Sequence, residues 1–227
     1  MVVHYAALIR HGDYHQLKQT PSAWQPFALN EAGVQQALAG APLVTQMLNE
    51  HDWVLDPVID SSNLLRGWQT ATIFSEQLTT PLAIESFDAL AERSMGSAAN
   101  LTVAQVEQIL ADDPRFDDPP AGWKSNSHYK LPLQGGESLL EAGQRVVDHI
   151  KQRMAQLPDE GPSRLKLFVG HGAAFRHAAF YLGVMSMEDI ARYSMYHARP
   201  VVLQAGPQWR HHCGDWKVRQ AHDQPLD

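Results

Sequence analysis

The chain has one cysteine, Cys213, so no internal disulfide can close, and a metal centre built on cysteines is not expected. No apolar run approaches the roughly 20 residues that span a bilayer. The start, Met1-Val2-Val3-His4-Tyr5, lacks a basic stretch followed by a long apolar core, so no signal peptide is read. The expectation is a cytoplasmic protein with no membrane partner. Basic residues are also in deficit: Lys and Arg number 18 against 25 Asp and Glu, a formal charge of −7. Nucleic-acid binding is not expected from that balance, because a phosphate backbone needs clustered cations. A single phosphate group needs only a few local cations, which an acidic surface can still provide in a pocket. Repeats and low-complexity segments are missing too. What remains is an ordinary globular balance, 44% hydrophobic and 19% charged over 227 residues. It suits one domain spanning 1–227 with a sizeable core.

The apolar pattern alternates between strands and helices. Val2 to Ile9 reads as a buried strand that ends at Arg10-His11-Gly12. Glu31 to Asn49 has helical spacing, with an interruption expected near Gly40-Ala41-Pro42. Val58 to Ser62 is a second strand, followed by capping residues and a helix over 64–78 that would bury Leu65, Ala71, Phe74 and Leu78. Thr102 and Gln105 form a capping-box pattern for a short helix through Leu110. Asp112 to Leu133 carries four prolines and few aliphatic residues, so a loop or lid is predicted around 112–134. Ser138 to Met154 is helical, Arg164 to Val169 is a strand ending at Gly170-His171-Gly172, and 173–182 and 186–193 are helices. Val201 to Leu203 and Trp216 to Val218 are late strands. This alternation predicts an α/β three-layer sandwich: a mostly parallel sheet with helices on both faces, plus the insertion. Ligands of such sheets bind beyond the carboxyl ends of the strands.

Three strand ends carry polar sequence. At the first, a neutral His11 imidazole can attack phosphorus if its other ring nitrogen is held as a donor. Arg10 offers forked donors for phosphate oxygens, and Gly12 permits close backbone approach. At the second, Arg66 sits in the first turn of a helix just past Ser61-Ser62-Asn63. At the third, His171 and Gly172 open a helix whose N-terminus favours an anion. Each motif alone is more often structural than functional. Their order along the chain changes that balance.

Arg10-His11-Gly12, the stretch from Ser61 to Ala71, Gly135-Gly136-Glu137-Ser138 and Gly170-His171-Gly172 together resemble the four ordered motifs of the histidine phosphatase superfamily, in its phosphoglycerate-mutase-like branch. The resemblance covers nearly all the chain outside 112–133. It implies that His11 becomes phosphorylated and that Arg10, Arg66 and His171 line the phosphate pocket with Gly12 and Gly172. It also implies a catalytic carboxylate in Leu90-Ala91-Glu92-Arg93-Ser94-Met95-Gly96. Glu92 is then the acid that protonates the leaving oxygen, with Asp88 and Glu85 as alternatives. Neither a metal nor a cofactor is implied, because arginines and histidines supply the positive charge.

Two positions depart from the family pattern. Relatives often carry an Asn six residues after the nucleophile, where this chain has Leu17, so Gln16 or Thr20 would take over that phosphate contact. The mutases follow their carboxylate motif with a substrate-binding Tyr, where this chain has Met95, and Ala98-Ala99 carry no charge. The insertion brings only Arg115, Lys124 and Lys130. The expected activity is therefore hydrolysis of a phosphomonoester on a small metabolite. A phosphoprotein phosphatase, suggested by Tyr14-His15, a mutase and a non-catalytic phospho-ligand binder are the alternatives. Glu137 is expected to cap the following helix. His4, His51, His128, His149, His177 and His197 show no metal-ligand spacing, and a metal at His211-His212-Cys213 is set aside. Trp24 and Trp123 lie in loops that would reach the pocket mouth. Oligomeric state is not legible.

Overall fold

A computed structural model describes residues 2–220 of the chain. Its main sheet has seven strands, which alternate with helices along the chain. The elements are β1 (Tyr5–Arg10), α1 (Glu31–His51), β2 (Val54–Leu55), β3 (Val58–Ser62), α2 (Leu65–Gln77), β4 (Ala83–Phe87) and α3 (Val103–Asp112). There follow α4 (Leu139–Met154), β5 (Arg164–Gly170), α5 (Gly172–Tyr181), α6 (Met187–Arg192), β6 (Tyr193–Met195), β7 (Pro200–Gln204), β8 (Arg210–Cys213) and β9 (Trp216–Val218). The strand order is β4-β3-β5-β1-β7-β8, with β2 also pairing β5, while β6 and β9 form a separate ribbon. Strands β1 to β5 run parallel where they pair, and β7 and β8 add an antiparallel edge.

The two faces of β1 explain the layers. Successive side chains of a strand point to opposite faces. Ala6 and Leu8 join Phe168, Val146, Ile150 and Phe175 in the core under α4 and α5. Ala7 and Ile9 join Val169, Ala37, Val44, Ala71 and Phe74 in the core under α1 and α2. Because both faces are buried, β1 reads as a continuous apolar run. The expected three-layer α/β sandwich is the observed architecture. Among the described residues no helix is long and apolar enough to cross a membrane.

Several local expectations need correction. Helix α1 runs unbroken through Pro42. Ala37, Ala41 and Val44 bury one stripe of it, and Gly40 packs so closely that a Cβ there would lie 1.9 Å from the Ala198 carbonyl oxygen. That tertiary packing outweighs a local proline penalty of about 3 kcal/mol. Leu65 is exposed, because α2 turns Arg66, Thr70, Ala71 and Phe74 inward instead. Glu137 does not cap α4: the Ser138 hydroxyl and the Glu141 carboxylate form the capping box there.

The 112–134 segment has a core of its own. Trp123 and Leu131 pack with Ala23, Met95, Ala98, Val106 and Leu110. The Trp123 indole N–H donates to Glu107 at 3.0 Å, so this side chain belongs to the small core and not to a pocket mouth.

Candidate active site

Parallel register brings the polar strand ends together. Arg10 is level with Gly170, and Ser61 is level with Val169, so β1, β3 and β5 end side by side. The three polar motifs therefore converge on one point past the sheet, although 55 and 105 residues separate the contacting pairs Arg66–His11 and Arg66–His171.

His11 is nearly fully buried at that point. Its Nδ1 lies 2.6 Å from the Gly12 carbonyl oxygen, which can only accept, so Nδ1 carries the proton. Its Nε2 accepts from Nε of Arg66 at 3.2 Å, and a guanidinium can only donate. Both contacts specify the neutral tautomer with a lone pair on Nε2. The electrostatics agree. Burial, then electrostatic interactions with Arg66, His171, Arg10 and His197, hold the His11 pKa well below the ordinary histidine value.

Arg66 is the hub. Its Nη1 donates to the Gln25 carbonyl at 2.8 Å and its Nη2 to the Ala23 carbonyl at 2.7 Å. Nη2 also reaches Nδ1 of His171 at 3.2 Å, which makes that nitrogen an acceptor. The His171 proton then sits on Nε2 and points to the Ser62 hydroxyl at 2.9 Å. Burial and the Arg66 and Arg10 charges keep His171 neutral as well. The Arg66 guanidinium lies 4.5 Å from the centre of the Tyr14 ring, and that ring meets His11 edge-on with centroids 5.4 Å apart. Tyr14 thus packs against both Arg66 and His11, while His15 is exposed.

Of the three acids considered, Glu92 is the buried one, and its charge acts on both Arg66 and Tyr14. Glu85 is taken up by an ion pair with Arg153, and Asp88 by Asn63. The Glu92 loop is held from two sides. The Trp24 indole N–H donates to the Glu92 carbonyl at 2.8 Å. From α4, Arg145 donates to the carbonyls of Ala89 and Ala91 while pairing with Glu137 at 2.7 Å. Glu137 in turn accepts from the Ser94 amide at 2.9 Å. The Gly-Gly-Glu-Ser motif therefore anchors the carboxylate loop.

The remaining predicted positions divide. The Gly12 amide donates to Thr70 Oγ1 at 3.1 Å, and what its missing side chain admits is the Gly33 backbone of α1. Gly172 opens α5 directly against the Arg10 side chain. Gln16 reaches the Thr20 carbonyl at 3.4 Å, and Leu17 is exposed. Sequence reasoning missed His197. Its ring lies 5.9 Å from that of His11, because the loop before β7 bridges to Arg10, and no motif marks it.

A sequence profile of the histidine phosphatase superfamily, branch 1, matches residues 6–212. The chain belongs to that superfamily. Among its relatives is a 2,3-bisphosphoglycerate-dependent phosphoglycerate mutase of Chelativorans sp., 28% identical over 204 residues that cover 88% of this chain and 91% of that one. The corresponding mutase of Cytophaga hutchinsonii is 27% identical, covering 85% and 84%. A mycobacterial glucosyl-3-phosphoglycerate phosphatase shares the fold with a TM-score of 0.70, at 22% identity over 96% of this chain and 100% of that one. Within this superfamily fold, the histidine and arginine motifs at the ends of β1, β3 and β5 meet through the contacts of Arg66 with His11 and His171.

Proposed function

We propose that the protein hydrolyses a phosphomonoester of a small metabolite through a phosphohistidine at His11. The observation that carries this reading is the His11 tautomer: a buried neutral imidazole, its proton fixed on the Gly12 carbonyl, facing two arginines and a second neutral histidine. A phosphate entering the pocket takes over the Arg66 donor now resting on Nε2. Nε2 then attacks phosphorus in line with the ester oxygen. Arg10, Arg66 and His171 neutralise the equatorial oxygens. Glu92 gives its proton to the leaving alcohol as the P–O bond breaks. Water attacks the phosphohistidine next, giving its proton to Glu92, and releases inorganic phosphate with His11 neutral again. Charge stabilisation comes from side chains, so the reaction needs no metal.

The names of the sequence relatives favour a second reading, mutase activity on phosphoglycerate. The packing of Met95 and Ala98 argues for hydrolysis instead. Both are sunk in the small apolar core, so the segment after Glu92 brings apolar side chains where a mutase of the resemblance has a substrate-binding Tyr. The test is a panel of phosphorylated metabolites and phosphopeptides, together with 3-phosphoglycerate plus 2,3-bisphosphoglycerate. Phosphate release from small monoesters, abolished in His11→Ala, is the expected outcome. Isomerisation outpacing phosphate release would establish the mutase, and preference for phosphopeptides would move the substrate to proteins.

A further inference from the structure

At the opposite end of α1 from the pocket, three metal-binding side chains meet. His51 ends α1, and His212 and Cys213 end the outer strand β8. One ring nitrogen of each histidine and the Cys213 sulfur lie within 4.8 Å of one another. The two imidazoles stand edge to face with centroids 4.8 Å apart, and both pack on Trp53. Nε2 of His212 is closed off from solvent and has no hydrogen-bond partner among the described residues. A buried polar nitrogen left that way costs free energy unless something supplies the missing contact. Cys213 also lines a groove of about 290 Å³ with Glu50, Asp215 and Arg199, two carboxylates against one guanidinium.

We propose that His51, His212 and Cys213 bind a borderline-soft divalent cation of zinc's chemistry. Two imidazoles and a thiolate match the preference of such ions for nitrogen and sulfur. Zinc bonds of roughly 2.0–2.3 Å in a tetrahedron place ligand atoms about 3.3–3.7 Å apart. The ligand atoms, within 4.8 Å of one another, would have to draw in by up to about 1 Å to reach that spacing, through side-chain rotation of the exposed His51 and small shifts at His212 and Cys213. Binding forms a metal–sulfur bond and releases the thiol proton to solvent. The fourth position stays open to water or to Glu50.

The site serves the fold and not the reaction. Helix α1 starts against the nucleophile loop, where Asn30 N–H donates to the Asp13 carbonyl. Its 21 residues, at about 1.5 Å each, put His51 roughly 30 Å away. A cation there would tie the end of α1 to β8, which pairs with β7 alone. The sequence spacing does not link His51 to Cys213; the packing of α1 beside the sheet edge does.

The test uses the full chain without an affinity tag, reduced and stripped with chelator. Zinc is titrated against a chromophoric competitor, and cobalt is added separately to report on thiolate ligation. One equivalent of zinc should bind, the melting temperature should rise, and cobalt should show a thiolate charge-transfer band. Cys213→Ser should abolish that band and, like His51→Gln and His212→Gln, weaken zinc at least about tenfold, or about 1.4 kcal/mol. His211→Gln, whose ring instead bonds the Gly214 carbonyl, should bind as wild type. The rate on an aryl phosphate should be the same with and without zinc. Equal binding by wild type and all three ligand variants would mean an adventitious ion only, and either that result or no binding overturns the proposal. Cys213→Ser, close in shape to the native side chain, carries the test if either histidine variant fails to fold.

Discussion

Replacing Gly12 by alanine should move the nucleophile. A Cβ on Gly12 would sit 2.4 Å from the Gly33 carbonyl oxygen and 2.9 Å from its Cα. Real Cβ contacts do not fall below 3.0 Å, so the loop and the first turn of α1 must part by at least 0.6 Å. The obstacle is backbone on both sides, so no side-chain rotation relieves it. Overpacking of this kind costs about 1–3 kcal/mol. In a domain of this size that lowers the melting temperature by roughly 2–4 °C per kcal/mol. The kinetic effect is larger, because His11 precedes Gly12 and is oriented by the Gly12 carbonyl. A displacement approaching 1 Å costs on the order of 10–100-fold in kcat. Gly33→Ala attacks the same contact from the helix, with a Cβ 1.9 Å from the Asp13 oxygen, and should do at least as much damage. Calorimetry and steady-state hydrolysis of an aryl phosphate measure both effects. Wild-type rate and melting temperature in both variants would refute the claim that this glycine pair sets the position of His11.

Glu92→Gln should slow alkyl phosphates by on the order of 10²–10⁴ and aryl phosphates far less, since a good leaving group needs little protonation; equal losses would point to another acid. His177 is buried and accordingly pushed down to about 4, so the fold holds it neutral while the unfolded chain protonates it near 6.5. Its contribution to stability is full above about pH 6.5 and is lost as pH falls toward 4, reaching about 2.5 kcal/mol by pH 4.5. Urea unfolding of wild type and His177→Gln at pH 7.5 and 4.5 reads this as a smaller acid loss in the variant, and identical losses would contradict it.

Much of the fold was legible because burial on both faces of β1 and β5 leaves mainly apolar runs that end abruptly in polar motifs. The capping box at Thr102 was legible for a local reason: both partners lie within one turn. The box at Ser138 is equally local, but Glu137 was read as the cap in its place. Of the edge strands, β9 was legible, whereas β4, β6 and β8 were not. Strand β8 reads Arg-His-His-Cys and has no apolar alternation; Arg210 and His211 are exposed, and His212 and Cys213 only half-buried. Pro42 misled because the packing of Gly40 on Ala198 lies outside the local sequence. In the site, Arg10, His11, Arg66 and His171 stand in ordered motifs, and Tyr14 was marked beside His15, whereas His197 enters only by three-dimensional proximity to His11. Glu137 was visible as a motif, but its work on the Glu92 loop needed Arg145, whose position no spacing rule predicts.

The proposed reaction passes through a covalent bond between His11 and phosphorus. Mixing the protein with an aryl phosphate, quenching in base within one turnover and mapping phosphopeptides by mass spectrometry tests it directly. The prediction is one phosphoryl group on His11, stable to base and labile to acid, absent from His11→Ala. Turnover with no labelled histidine, or with the label on another residue, would contradict it.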